Sequence, residues 1–177
     1  MPLPSDLRER ARPVRLLVLD VDGVLTDGTL YYSANGEELK GFNIQDGLGI
    51  KMLQGSGLEV AIITGRSSRA LEQRVANLAI RHLYQGVEHK LEAFEHLLTA
   101  LGLKAGQAAC VGDDLPDLAL LARCGLAVTV PDAPDALHAH AHYVTRRPGG
   151  RGAVREVCEL ILEAQGALQA QIARYLP

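Results

Sequence analysis

Six short runs rich in Val, Ile and Leu recur along the 177 residues of this chain, separated by longer segments whose apolar residues have helical spacing. This alternation predicts a parallel sheet with crossover helices. The predicted strands span residues 14–20, 59–64, 81–85, 107–112, 126–130 and 142–145. The first, second and fourth runs lack the alternation of polar and apolar residues that is typical of a sheet with one solvent-exposed face. We therefore expect them to be central and covered by helices on both faces.

With 47% hydrophobic residues, the chain can bury one sizeable core, so we expect a single domain over residues 1–177. The predicted fold class is α/β, a Rossmann-like three-layer sandwich around a central, mostly parallel sheet. After the first strand, strand-like halves flank Asn35-Gly36, which predicts a β-hairpin insertion at about 29–42. A glycine-rich run predicts a mobile C-terminal segment from about residue 148.

Composition argues against several classes of partner. The net charge is −3 and the basic residues are scattered, which argues against nucleic-acid binding. No apolar run approaches the roughly 20 residues that span a bilayer, and residues 1–12 are too charged for a secretory signal. The three cysteines are widely spaced and predict neither a disulfide framework nor a metal site. We expect a cytoplasmic protein with no membrane partner.

Acidic side chains follow the first and fourth predicted strands. Asp20 and Asp22 end the first run and precede Gly23, whereas Asp113 and Asp114 follow the fourth run. The carboxyl ends of the strands form the edge at which open α/β sheets bind their ligands. Carboxylates that lie close together need protons or a cation to offset their repulsion. Mg²⁺, which prefers oxygen ligands, is the natural candidate.

The second and third predicted strands lead to residues suited to an anion. Thr64-Gly65-Arg66 follows the second strand, where backbone N–H groups at the start of a helix are free. Lys90 lies just beyond the third strand and begins a predicted helix. Alone, each has an ordinary interpretation as a helix cap or a surface lysine. Their occurrence at successive strand ends together with the carboxylates favours a phosphate site.

In this order, Asp-x-Asp-Gly, Thr-Gly-Arg, Lys and Gly-Asp-Asp-x-x-Asp resemble the four motifs of the haloacid dehalogenase superfamily of phosphotransferases. The resemblance implies that Asp20 attacks phosphorus and that water then hydrolyses the aspartyl-phosphate. Asp22 would protonate the leaving alkoxide and then activate that water. Thr64 and Lys90 would hold the phosphoryl oxygens. Asp117 would orient the acidic loop or stabilise its helix start. The implied Mg²⁺ ligands are Asp20, the backbone carbonyl of Asp22, and Asp113, with Asp114 in support.

Neither the gap from Asp22 to Thr64 nor that from Thr64 to Lys90 is long enough for the cap domain that many members of this superfamily insert there. We therefore expect no cap domain. An uncapped site needs another cover to exclude water from a small substrate. We expect a neighbouring subunit to supply it, and the resemblance suggests a homotetramer.

Further motifs extend the resemblance over nearly the whole chain: residues 20–28, 43–47, 84–86 and 149–158. They resemble the phosphatases of 3-deoxy-D-manno-octulosonate 8-phosphate (Kdo 8-phosphate), which release an eight-carbon sugar acid for lipopolysaccharide biosynthesis. The implied substrate contacts are Asn43, Gln45, Asp46, Gly47, Lys51, Arg66, Arg74, Lys90 and Arg151, the last on a lid. Lys51 stands where some relatives have arginine, which keeps the charge but loses bidentate geometry.

Three other interpretations remain open at this point. The same core would serve a phosphatase of a nine-carbon sugar acid, such as an N-acylneuraminate 9-phosphate, or a partner of a sugar-activating enzyme. A receiver-like signalling domain also uses carboxylates, Thr, Lys and magnesium, but it places its phospho-acceptor well after its acidic pair. A non-catalytic binding module would not need the full set of motif residues.

Overall fold

A six-stranded parallel sheet forms the centre of the computed structural model, which describes residues 3–36 and 38–176. The strands of the chain are β1 (Leu16–Leu19), β2 (Tyr31–Tyr32), β3 (Glu38–Leu39), β4 (Glu59–Ile63), β5 (His82–Tyr84), β6 (Ala108–Gly112), β7 (Leu126–Thr129) and β8 (Tyr143–Val144). The central sheet has the order β5-β4-β1-β6-β7-β8, and every neighbouring pair is parallel. All six strands predicted from the apolar runs are confirmed, and β4, β1 and β6 are central as expected.

Helices cover both faces of this sheet. They are α1 (Ser5–Ala11), α2 (Ile44–Gly55), α3 (Arg69–Leu78), α4 (Lys90–Leu101), α5 (Leu118–Arg123), α6 (Asp135–His138), α7 (Ala153–Ala164) and α8 (Leu168–Ala173). Side chains of β1 alternate between two cores: Leu17 and Leu19 pack with α1, α2, α3 and α7, whereas Leu16 and Val18 pack with α4 and α5. The predicted three-layer α/β sandwich is confirmed. None of the described helices is both long and apolar enough to cross a bilayer.

The predicted hairpin after β1 is also confirmed. Strands β2 and β3 form a separate antiparallel pair in which Tyr31 faces Leu39 and Tyr32 faces Glu38. The strands are shorter than the predicted halves. Within residues 3–36 and 38–176, every strand belongs either to the central sheet or to this hairpin.

The loop between β1 and the hairpin is held by a buried threonine. The Thr26 hydroxyl accepts hydrogen bonds from the backbone N–H groups of Gly23 (3.3 Å) and Gly28 (3.2 Å) and donates to the carbonyl of Val21 (3.4 Å). Gly23 has φ +85°, and a Cβ there would lie 2.0 Å from Oδ2 of Asp113. The glycine thus lets the loop after β1 approach the acidic loop after β6.

The C-terminal glycines pack against the same loop. A Cβ on Gly149 would lie 1.7 Å from the carbonyl oxygen of Gly23, and the N–H of Gly150 donates to the carbonyl of Val24 at 2.9 Å. Although the segment from about residue 148 begins with this glycine turn, it also contains α7 and α8. Its predicted mobility stays a prediction.

Candidate active site

The loops that follow β1, β4 and β6 meet the start of α4 at the carboxyl edge of the sheet, around a cavity of about 550 Å³. The lining residues include every residue that the motifs assign to phosphoryl transfer or to the metal site: Asp20, Asp22, Thr64, Lys90, Asp113 and Asp114. Asp117 and Arg66 line it as well. Strands far apart in sequence therefore bring the predicted catalytic residues to one place, as the parallel topology requires.

A buried lysine links the nucleophile candidate to the acidic loop. Lys90 Nζ lies 3.0 Å from Asp20 Oδ1 and donates a hydrogen bond of 2.7 Å to Asp117 Oδ1. Burial alone would lower the pKa of Lys90, but the attraction of Asp20 and Asp117 outweighs it and raises the pKa. Lys90 is therefore a firmly charged ammonium at the floor of the cavity, where it can meet the negative charge of a phosphoryl group.

Asp117 holds the acidic loop in place. Its Oδ2 accepts hydrogen bonds from the N–H groups of Asp113 (3.1 Å) and Asp114 (3.4 Å), while its Oδ1 accepts from Lys90. Asp114 in turn caps the following helical turn through Leu115 N–H at 2.8 Å. Both carboxylate oxygens of Asp117 are therefore satisfied without a metal.

Asp20 and Asp113 differ from Asp117 in this respect. Oxygens of the three carboxylates lie within 4.8 Å of one another. Among the described residues, Oδ1 of Asp113 is buried without a hydrogen bond, and Oδ1 of Asp20 is buried with only the 3.0 Å ion pair to Lys90. Burial, then repulsion from Asp20, Asp117 and Asp114, raises the pKa of Asp113 to about 8. Burial, then repulsion from Asp117, raises the pKa of Asp20. A hard divalent cation bound to these two oxygens would remove the repulsion, so the donor set fits Mg²⁺.

Asp22 is directed towards the hairpin. Its Oδ1 forms an ion pair with Lys40, and its Oδ2 lies 3.6 Å from Nε of Arg66. Glu38 completes a ring of alternating charges, because it pairs with Lys40 at 2.9 Å and also with Arg66. Sequence reasoning assigned no role to Glu38 or Lys40. The sequence does contain a signal for this pair. Because side chains alternate between the two faces of a strand, Glu38 and Lys40 are expected on the same face of the hairpin.

The remaining predicted substrate residues lie outside this cavity. Asn43, Gln45, Asp46 and Gly47 form the start of α2, where Asn43 accepts from the N–H of Gln45 at 2.7 Å. Asp46 is buried and accepts from the N–H groups of Gly152 (3.3 Å) and Arg155 (2.8 Å) at the start of α7. These residues join α2 to α7 within the chain. Their contact with substrate stays a prediction.

The three other predicted cations are dispersed. Arg74 donates to the carbonyl of Asn43 at 2.9 Å, and Lys51 is exposed on α2. Arg151 lies 3.7 Å from Asp27 beside a second cavity of about 420 Å³, which shares Asp113 with the first. Of the predicted sugar contacts, only Arg66 and Lys90 line the larger cavity within one chain.

Comparison with known proteins agrees with this geometry. Residues 82–155 match the haloacid dehalogenase-like hydrolase family. The chain is 53% identical over 167 residues to the 3-deoxy-D-manno-octulosonate 8-phosphate phosphatase KdsC of Escherichia coli (strain K12), covering 94% of this chain and 89% of that one. The crystal structure of the Yersinia pestis phosphatase of that name has a TM-score of 0.93 and 52% identity, and covers 95% of this chain and 91% of its own.

A third similar protein has been crystallised with ligands. The Moraxella catarrhalis 3-deoxy-D-manno-octulosonate 8-phosphate phosphatase, in complex with a magnesium ion, a phosphate ion and KDO, has a TM-score of 0.96 and 43% identity. The match covers 98% of this chain and 99% of that one. From the motif geometry and these similarities, the chain belongs to the family of 3-deoxy-D-manno-octulosonate 8-phosphate phosphatases within the haloacid dehalogenase-like hydrolases.

Proposed function

We propose that this chain is a Mg²⁺-dependent phosphatase that hydrolyses Kdo 8-phosphate to Kdo and phosphate in lipopolysaccharide biosynthesis. The observation that carries the proposal is the pair of buried carboxylates of Asp20 and Asp113, in which Asp113 Oδ1 lacks a hydrogen bond and Asp20 Oδ1 is paired only with the charged Lys90. The similar Moraxella catarrhalis protein holds magnesium, phosphate and KDO. This combination supports both the metal and the substrate class.

In the proposed first step, a carboxylate oxygen of Asp20 attacks phosphorus in line with the ester oxygen. The new bond joins Asp20 to phosphorus while the bond from phosphorus to the sugar oxygen breaks. A proton from Asp22 neutralises the leaving alkoxide. Lys90 and the buried Thr64 hold the phosphoryl oxygens. When bound by Asp20 and Asp113, with the Asp22 carbonyl and Asp114 in support, Mg²⁺ would offset the repulsion between the anionic nucleophile and the phosphate.

In the proposed second step, Asp22, now a carboxylate, takes a proton from water. The water oxygen attacks phosphorus, and the bond to Asp20 breaks. Inorganic phosphate leaves, and Asp20 and Asp22 return to their initial states. Because Asp22 serves both steps, its carboxylate has to reach the ester oxygen and the later water on the side of phosphorus opposite Asp20.

We expect Mg²⁺-dependent phosphate release to be much faster from Kdo 8-phosphate than from N-acetylneuraminate 9-phosphate or an aryl phosphate. The measurement compares kcat/KM for the three substrates with Mg²⁺ and with a chelator. Equal activity on all three would contradict the substrate assignment while keeping the phosphatase. Faster release from the nine-carbon substrate would favour the alternative phosphatase. Absence of Mg²⁺-dependent release from any of them would contradict the enzymatic proposal.

We also propose that the chain forms a homotetramer in which neighbouring subunits cover the cavity. Apolar side chains on and near the hairpin are exposed, among them Tyr31 (50%), Leu39 (58%) and Ile44 (82%). Tyr31 lies opposite Leu39 in the hairpin, and exposed apolar side chains grouped on one surface are typical of a protein interface. The start of α2 follows the hairpin directly in the chain. We propose that the remaining predicted contacts reach the substrate from within or across this interface: Asn43, Gln45, Asp46, Gly47, Lys51, Arg74 and Arg151.

Replacing Leu39 by Lys is expected to dissociate the tetramer and to raise KM, because a charge would be buried between subunits. Light scattering after size exclusion gives the mass, and the same sample gives the kinetic constants. Leu176→Lys, at another exposed apolar side chain outside the hairpin and the cavity lining, serves as the control. A Leu39→Lys protein with unchanged mass would contradict a hairpin interface.

The three cysteines, Cys110, Cys124 and Cys158, are buried free thiols. Free thiols are typical of a reducing compartment, which supports the proposed cytoplasmic location. Cell fractionation with activity assays tests it.

A further inference from the structure

We propose that Lys40 on the hairpin is a positioning residue that fixes the Asp22 carboxylate for its two proton transfers. The inference rests on the proposed function, because it takes Asp22 as the acid and base of the reaction. It assigns to the hairpin a part in the chemistry of its own subunit, in addition to its part in assembly.

The first observation is the burial of Lys40. Its side chain is only 2% exposed, and its ammonium lies between the carboxylates of Asp22 and Glu38. An ammonium removed from water costs several kcal/mol unless it is paired. The two carboxylates provide that pairing, so the lysine is held at one position and is not free on the surface.

The second observation is that Asp22 depends on Lys40 for its orientation. Lys40 is the one hydrogen-bond donor to the Asp22 side chain among residues 3–36 and 38–176. The other cation, Arg66, is 44% exposed, and its Nε lies 3.6 Å from Oδ2 of Asp22. Solvent screens an exposed pair of that length, so it holds the carboxylate only weakly. Lys40 therefore provides most of the restraint.

The third observation is that the hairpin has contacts with the sandwich other than that of Lys40. Glu38 already joins the hairpin to Arg66 through an ion pair, and Arg66 also donates to the Tyr32 hydroxyl at 3.1 Å. Burial of Lys40 against Asp22 adds a contact to a reacting group that lines the cavity. A general acid must lie within hydrogen-bond reach of the atom it protonates. The rate of proton transfer therefore depends on how well the rotamer of Asp22 is held in place.

The experiment compares two leaving groups in wild type, Lys40→Met and Asp22→Asn. An alkoxide from a sugar phosphate needs a proton as it leaves, whereas 4-nitrophenolate is a weak base and leaves without one. The ratio kcat/KM reports the steps through the first phosphoryl transfer. In Lys40→Met we expect kcat/KM to fall about 10- to 100-fold for Kdo 8-phosphate and less than about threefold for 4-nitrophenyl phosphate.

Three further measurements separate positioning from a structural role. Lys40→Arg, which keeps a cation on the hairpin, is expected to restore part of the lost rate with the sugar phosphate. Lys104→Met, at an exposed lysine on another face, is expected to leave both substrates unchanged. In Lys40→Met, impaired activation of water should also produce a burst of nitrophenolate, because the phosphoenzyme accumulates.

A fall of equal size for both substrates in Lys40→Met would overturn the inference, since it would show a general loss of structure or of phosphate binding. An unchanged rate would overturn it too. If wild type released no phosphate, the proposed function itself would fail. If Asp22→Asn showed no dependence on the leaving group, the acid role of Asp22 on which this inference rests would fail. Suppose instead that wild type is active and that Asp22→Asn loses more activity with the sugar phosphate than with 4-nitrophenyl phosphate. Equal losses with the two substrates in Lys40→Met would then overturn the role of Lys40 alone.

Discussion

The Asp20→Asn enzyme is expected to lose at least about 1000-fold in phosphatase activity while remaining folded. The amide keeps the shape of the side chain but cannot supply a carboxylate nucleophile. Its stability should be equal to or greater than that of wild type in the absence of metal, because burial and Asp117 disfavour a charge at this position. Initial rates of phosphate release and thermal unfolding of the same samples provide both measurements.

The matched control is Asp6→Asn, the same chemical change on an exposed residue of α1. It should alter neither the rate nor the melting temperature. Acid quenching of the wild-type reaction, followed by mass spectrometry, should detect phosphate on the peptide containing Asp20 and none in Asp20→Asn. Activity close to wild type in Asp20→Asn would exclude this residue as the nucleophile.

The second large effect is expected for Asp113→Asn, which should lose the response to Mg²⁺. Wild type should melt at a higher temperature with Mg²⁺ than with a chelator, since a ligand that binds only the folded state stabilises it. The substitution replaces a carboxylate that has one buried oxygen without a hydrogen bond by a neutral amide, which is a weaker ligand for Mg²⁺. We expect Mg²⁺ affinity to fall by more than about 100-fold, the loss reached when only an outer partner of a metal ligand is changed.

The same substitution should stabilise the metal-free protein. Burial and the neighbouring carboxylates raise the pKa of Asp113 from 3.8 to about 8 in the folded chain. A carboxyl whose folded pKa is raised contributes less stability as the pH rises through this range, and a neutral amide avoids that loss. Thermal unfolding near pH 7.5 with chelator and with Mg²⁺ measures both effects, with Asp135→Asn as an exposed control. A Mg²⁺-induced rise in melting temperature equal to that of wild type would contradict the assigned metal site.

The sequence predicted the sheet well because the central strands are buried on both faces. Unbroken apolar runs such as Leu16–Leu19 have few alternatives to a parallel strand between helices. Parallel strands also align their carboxyl ends, so residues following different strands, such as Asp20 and Asp113, could be placed together before any distance was known. The motif resemblance added roles that spacing alone does not assign.

The contacts that escaped prediction are those between elements with no fixed geometric relation in sequence. The hairpin was predicted from Asn35-Gly36, but a turn signal does not say which core residues the hairpin will face. The ion pair of Lys40 with Asp22 follows from that packing. Likewise, Asp46 accepts a hydrogen bond from the N–H of Gly152, which is 106 residues away. No local sequence pattern predicts that its carboxylate binds the start of another helix.

The central position of β1 has a consequence for how the chain is synthesised. Of the strands within residues 3–36 and 38–176, this one leaves the ribosome first, yet its two neighbours, β4 and β6, begin at Glu59 and Ala108. Until Gly112 has emerged, one edge of the apolar β1 strand has no partner, which is a state prone to aggregation. The nucleophile therefore acquires its acidic partner Asp113 only when more than half of the chain has been made, so a truncated nascent chain has no complete active site.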